Sequence, residues 1–358
     1  MIVQFGPYPP PYGGISTYVK RMNLYLNSKN IKNEVWSSTC KKGIDELKQV
    51  RLKYLPMYVM ADKNIRIIHF NITGISSKLY IGICNEVFFG KRKKVLTIHG
   101  DSKDLFISRK FLIRRALNSF DTIICVKKGD KKYLQSMGIS KAIYEIPAYI
   151  TPVENENDFK HIPQDIWDFI ESSKFLISAN GCVRLYNNED LYGFDMLIEL
   201  IRKLKDKGYS VSLLIALLGS DMENNSEKLY YQGLKDKIRE YNILNNIMIF
   251  EVNDTEFYPI LKKSKLFVRP TNTDGYGVSI AEALYYKIPA IASDVCSRPE
   301  GTLIFKSRNI DDLYIKTKDV IENYNLHKEK TKDLNEINNA EKLFDVYKEL
   351  DSLISIAK

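Results

Sequence analysis

The chain has 358 residues, 44% hydrophobic and 27% charged, with 53 Lys and Arg against 44 Asp and Glu. That length exceeds what one core usually serves, so two domains are expected, and the composition is neither that of a disordered nor of a fibrous chain. The longest apolar run, Leu213–Leu218, is too short to span a bilayer. The odd, scattered cysteines (Cys40, Cys84, Cys125, Cys182, Cys296) read as reduced thiols, and four isolated histidines suggest no metal site.

In chain order, Met1–Phe5 reads as a first strand, with no charged-then-apolar leader before it. Gly13-Gly14 follows the proline-rich stretch 7–11 and precedes a helix over Ile15–Leu26. Two adjacent glycines permit φ > 0 and let a ligand approach the backbone at a helix N-terminus, although a plain strand-to-helix turn fits equally well. The pattern is not Gly-x-Gly-x-x-Gly, and no acid follows at dinucleotide spacing, so a nicotinamide or flavin enzyme is disfavoured.

Strands are expected at Val35–Ser37, Ile65–Phe70, Val95–Ile98, Thr122–Val126 and Tyr144–Ile146, with helices at Leu79–Phe89 and Lys110–Phe120 between them. His99 closes the strand Val95–Ile98, with Asp101 two positions on. Strand C-termini of open parallel sheets face the ligand crevice, though a lone His is more often structural.

This first half is basic. Residues 1–150 hold 26 Lys and Arg against 10 Asp and Glu, while the rest of the chain is net acidic. The bases bunch at Lys91–Lys94, Arg109-Lys110, Arg114-Arg115, Lys127-Lys128 and Lys131-Lys132, several beside Phe106, Phe111, Leu112 and Ile113. That surplus reads either as scattered surface lysines or as a face for an anionic membrane surface. Nucleic acid is disfavoured, because no binding module accompanies the charge.

Residues 151–163 look like an interdomain connection. A second α/β unit then runs through strands Phe175–Ala179, Val211–Leu218, Ile247–Phe250, Leu266–Val268 and Ala290–Ala292. Its expected helices are Met196–Asp206 and Glu227–Tyr241, and a last amphipathic helix spans Ala340–Ile354. Arg184, just past the first of these strands, has the bidentate geometry to grip a diphosphate.

The densest motif lies between Val268 and Ile304. Asp274 sits in a turn with Gly275, Tyr276 and Gly277, a helix starts near Val278, and Glu282 follows the first acid by eight positions. A glycine turn feeding a helix N-terminus is an anion site, because unpaired N–H groups and the positive dipole end point at the ligand. Asp274 is placed to accept sugar hydroxyls and Glu282 to reach a second polyol such as ribose. Together they describe a nucleotide-sugar site.

This pattern, with its sequel Lys287–Ser293 and Arg298-Pro299-Glu300-Gly301, resembles the acid-x7-Glu signature of retaining GT-B glycosyltransferases of family 4. The resemblance runs through essentially the whole chain. It implies an α/β fold of two Rossmann-like domains facing a cleft. The first, 1–150, binds the acceptor and the second, 151–335, the nucleotide-sugar, while 336–358 returns as a helix to the N-terminal domain. It further implies a metal-independent hexosyltransferase without cofactor, with His99, Asp274 and Arg184 as catalytic residues. Gly13, Gly14, Arg184, Asp274, Gly275, Tyr276, Gly277, Val278 and Glu282 would bind the donor. Two departures stand out: Asp274 replaces the commoner Glu, and Tyr192 stands where relatives have a phosphate-binding Lys, a charge that Arg269 or Arg298 could supply. By analogy the expected acceptor is a lipid-linked oligosaccharide of a bacterial surface polysaccharide, handled by a cytoplasmic enzyme peripheral to the membrane. A GT-B epimerase, or a binding protein without catalysis, is the alternative.

Overall fold

Short apolar strands alternate with amphipathic helices in both halves of the sequence, and each half folds as a doubly wound parallel sheet. The structure, a computed structural model, describes residues 1–10, 12–37, 47–219, 224–252, 255–334 and 339–352. Cys40 and the expected end of the last helix, Leu353-Ile354, lie outside them. The chain divides into one unit of Met1–Val153 with Ile337–Lys358, and a second of Glu154–Glu336.

The first unit runs β1 Ile2–Gly6, α1 Gly14–Ser28, β2 Asn33–Ser37, β3 Leu47–Gln49, α2 Leu55–Ala61, β4 Ile67–Phe70, α3 Ile75–Val87, β5 Lys93–Ile98, α4 Lys110–Leu117, β6 Thr122–Cys125, α5 Asp130–Ser136 and β7 Ala142–Glu145. Its seven strands lie in the order β3-β2-β1-β4-β5-β6-β7, all parallel. Consecutive strands step outward on both sides of β1, so the direction of winding reverses between β1 and β4. Ligand crevices of such sheets open beyond the strand C-termini at that reversal. One face buries Val3, Phe5, Ile68, Phe70, Leu96 and Ile98 against α3, α4 and their neighbours.

The second unit begins with α6 Glu156–Lys160 and α7 Gln164–Ser172, then β8 Leu176–Gly181, the hairpin strands β9 Leu185–Tyr186 and β10 Glu189–Asp190, α8 Phe194–Asp206, β11 Ser212–Leu218, α9 Asn225–Glu240 and β12 Ile247–Val252. It continues through α10 Tyr258–Leu261, β13 Leu266–Arg269, α11 Val278–Tyr285, β14 Ala290–Ser293, β15 Leu303–Phe305, α12 Ile310–Glu322 and α13 Tyr324–Lys332. The sheet order is β12-β11-β8-β13-β14-β15, again parallel, with its reversal between β8 and β13. Residues 151–163 are more than a connection. Asn155 caps α6, Phe159 stacks on Trp167 at 6.2 Å, and Asp158 accepts the Tyr258 hydroxyl at 2.8 Å.

The last helix, α14 Asn339–Leu350, belongs to the first unit. It buries Leu343, Phe344 and Tyr347, and Asn339 donates to the Tyr149 carbonyl at 2.9 Å. Beneath it lies a polar row on the second face of the sheet. His69 is paired in register with Gln4, and its ring meets the Thr97 hydroxyl at 2.7 Å and the Tyr347 hydroxyl at 2.5 Å. The helix is thus fastened by a buried imidazole as well as by apolar packing.

Candidate active site

The reversal between β8 and β13 brings two loops of the second unit together: the one after β8, which carries Arg184, and the one after β13, which carries Asp274. Gly277 ends the second loop with φ +84, and a Cβ there would lie 2.5 Å from Ile280 Cδ1, so glycine is required. Helix α11 starts at the next residue without a side-chain cap and without an acid in its first turn. Three neighbouring helices are closed: α8 by Asp190, α9 by Asn224 with Glu227, α12 by Asn309. α7, α10 and α13 also lack a side-chain cap, but the start of α11 is the one that follows the turn 274–277, so its N–H groups are available to an anion held there. Glu282, in the second turn of α11, is buried at 3% exposure.

Asp274 does not stand open toward a ligand. Oδ2 accepts from Arg269 Nε at 2.6 Å and Arg298 Nη1 at 2.7 Å, and Oδ1 from Arg269 Nη2 at 3.3 Å and the Gly275 amide at 2.9 Å. Burial would raise its pKa, but the two guanidiniums overcome that and hold the carboxyl far below its usual range. Arg298 also donates to the Ser293 carbonyl at 2.9 Å and to the Thr271 hydroxyl at 3.0 Å, which ties the loop after β14 to the loop after β13. Two cations around one acid leave the cluster with a net positive charge.

Arg184 is half-exposed, and its Nε lies 3.3 Å from Glu227 in the capping box of α9. The ring of Tyr192 packs where a side chain on Gly181 would be, with the Arg269 guanidinium 5.4 Å from its centroid. Burial pushes the Tyr192 hydroxyl up to about 12, so it stays a donor. Asp190 accepts from the amides of Tyr192, Gly193 and Phe194 at 2.9–3.0 Å. Its carboxyl is raised to about 6 by burial and by Asp195, against the pull of those amides.

In the first unit, the expected glycines behave differently from the reading above. Gly13 is extended, at φ −164, Gly14 is outside the positive-φ set, and a Cβ on Gly14 would meet nothing within 4 Å. Local backbone strain does not demand glycine there; only a ligand's close approach would. His99 follows β5, and Nε2 meets Asn71 Oδ1 at 2.9 Å while the ring lies edge-on to Tyr18 at 5.0 Å. Burial, then the Lys78 charge, drives its pKa down to about 3. Asp101 turns away from His99 to cap residues 102–106 and to pair with Lys127.

Residues 186–340 match the family model of glycosyl transferases group 1. The second unit is a group 1 glycosyl transferase domain. No curated protein sequence matches the chain. Among solved structures, a glycosyltransferase from Rickettsia africae superposes with a TM-score of 0.69 at 14% identity, covering 98% of each chain. Anabaena Alr3699/HepE, solved with UDP, gives 0.65 at 13%, covering 98% of this chain and all of that one. A putative UDP-N-acetylglucosamine 2-epimerase from Listeria monocytogenes gives 0.61 at 15%, covering all of this chain and 98% of that one. These likenesses establish the GT-B fold, with two Rossmann-like units.

Within the glycosyl transferase domain, the sheet reversal gathers Arg184, the turn 274–277 and α11 at one edge. His99, Gly13 and Gly14 lie at the corresponding edge of the first unit, after β5 and β1. Three contributors were not singled out from sequence: Asp190, which closes α8, and the pair Asn71 and Lys78 around His99. The spacing Asp190-x-x-Gly193 ahead of an apolar helix is a capping signal that would have found the first. Lys78 donates to the carbonyls of Ile72 and Thr73 at 2.9 and 2.5 Å, and nothing in its sequence neighbourhood announces this.

Proposed function

We propose that the protein transfers a sugar from a nucleoside-diphosphate sugar to a hydroxyl acceptor with retention at the anomeric carbon. The observation that carries this reading is the uncapped N-terminus of α11 beside Arg184, Arg269 and Arg298, with Glu282 one turn further in. The C–O bond to the diphosphate breaks, and the acceptor oxygen bonds to the anomeric carbon from the same face. The departing diphosphate takes the acceptor proton. Helix N–H groups and Arg184 stabilise the charge that develops on the diphosphate, and no metal is invoked. Because Asp274 is held between arginines, it shapes that cationic surface and fixes the turn that feeds α11. His99, with Nε2–H donated to Asn71, keeps Nδ1 as an acceptor for a hydroxyl. Being hard to protonate, it serves as a hydrogen-bond partner instead of a proton carrier.

Glu282→Gln and Arg184→Ala should each reduce kcat/KM by roughly 10²–10³ while the protein keeps its far-UV spectrum. The thermal stabilisation produced by UDP-, GDP- or dTDP-sugars should shrink in both. Near-wild-type transfer in either variant removes that residue from the site. If a nucleotide sugar stabilises the protein and is epimerised while no acceptor is glycosylated, the epimerase reading takes its place.

For the acceptor we propose a lipid-linked oligosaccharide of a bacterial surface polysaccharide, reached by a cytoplasmic, membrane-peripheral enzyme. Ile107, Phe111 and Leu112 are 79%, 66% and 49% exposed at the start of α4, among Arg109, Lys110, Arg114 and Arg115. Among the described residues no helix is long and apolar enough to cross a membrane. Sedimentation with anionic vesicles should therefore fall steeply as salt rises, and neutral vesicles should bind little. Equal binding to both, or none at low salt, favours a soluble acceptor.

A further inference from the structure

The amino-terminal edge of the first unit's sheet carries a second charged feature. A cavity of about 410 Å³ is lined by Lys63, Arg66, Lys91, Arg92 and Lys93, with Asp351 from the end of α14 as its one carboxylate among the described residues. Its location follows from the register. Lys93 is the first residue of β5, and its amide donates at 2.8 Å to the carbonyl of Arg66, which stands just before β4. His99 and Asn71 follow the other ends of these same strands, so the cavity is separated from them by the length of the sheet.

The charges do not cancel. Asp351 is engaged by Arg66, whose Nη2 donates to Oδ1 at 2.6 Å. Lys94, next in sequence, turns to Asp121 at 3.4 Å and leaves the cavity. Arg92 gives one N–H to the Asp62 carbonyl at 3.0 Å, while its buried Nε has no partner among the described residues. Lys63, Lys91, Arg92 and Lys93 therefore line the cavity with no ion-paired acid among the described residues. Such a group repels itself unless an anion sits among it.

We infer that this cavity binds a soluble phosphate-bearing molecule, through at least one doubly charged phosphate or diphosphate group. Guanidinium and ammonium donors converging on one concave surface match the acceptor-rich geometry of a phosphate, and the volume falls in the range of small-ligand sites rather than of a single ion. The same chemistry could come from an anionic lipid headgroup, and the test separates the two sources.

Calorimetric titration of the full chain with pyrophosphate, at matched ionic strength in chloride, should show a binding event that Lys91→Glu/Lys93→Glu weakens at least about tenfold. Lys91 is exposed and Lys93 half-buried, so the variant should keep its far-UV spectrum and its UDP binding. Lys91→Gln alone should produce a smaller loss in the same direction. Undiminished pyrophosphate binding in the double variant overturns the site. Binding to phosphatidic-acid vesicles without any to pyrophosphate overturns the soluble ligand.

Discussion

Asp274→Asn should destabilise the second unit by about 3–5 kcal/mol, because it leaves two buried cations sharing a neutral amide. In a unit of this size that corresponds to a fall of roughly 10 °C in its melting temperature. The side chains of Arg298 and Arg269 are only 1% and 13% exposed, so water cannot replace the lost charge. Asp274→Glu keeps the charge but adds a methylene to a carboxylate already held at 2.6–2.7 Å by two arginines, and should cost about 1–3 kcal/mol. The diagnostic experiment is a double-mutant cycle with Arg269→Gln. If the pair is coupled, the double variant is much less destabilised than the sum of the single ones. Were Asp274 only an acceptor for sugar hydroxyls, Asp274→Asn would change donor preference and leave the melting temperature within a degree or two.

That distinction marks where reading the sequence stopped short. The turn 274–277, the helix start at Val278 and the strand Ala290–Ala292 were legible, because glycine, helical spacing and a short apolar run are local signals. The partners of Asp274 were not. Arg269 is five residues before it and Arg298 twenty-four after, and only the β13–β14 pairing brings the second one in. The strand pattern located both sheets, yet it missed α12 and α13, where the apolar positions are thin among Asp, Lys and Asn. It gave α14 its amphipathic face, but could not say that Tyr347 reaches His69, a contact between residues 278 apart in sequence. Gly13-Gly14 shows the reverse case: the pair permits φ > 0, and the backbone does not use it.

The His69 contact has a consequence for stability in acid. Burial, with a smaller push from His99, depresses His69 to about 3, and burial with Lys78 does the same to His99. An unfolded histidine takes up its proton near 6.5. Both rings are therefore neutral in the folded protein at pH 5 and protonated in the unfolded chain. Their contribution is fully present above pH 6.5 and is lost as pH falls from 6.5 towards 3. Each pH unit in that window costs about 1.4 kcal/mol per histidine, so the step from pH 7 to 4.5 should remove roughly 2–3 kcal/mol for each. The groups around His69 offer no compensation, since Tyr347 is raised well above 10, Tyr18 is raised as well, and Thr97 does not titrate. The two tryptophans allow a direct measurement: Trp36 lies in β2 of the first unit and Trp167 in α7 of the second. In a Trp167→Phe background, urea unfolding followed by Trp36 fluorescence should show a much lower midpoint at pH 4.5 than at pH 7. Adding His69→Gln should lower the midpoint at pH 7 and roughly halve the drop, because one of the two titrating rings is gone. Equal midpoints at the two pH values would mean that these imidazoles accept protons in place, and the fastening of α14 through a neutral His69 would have to be abandoned.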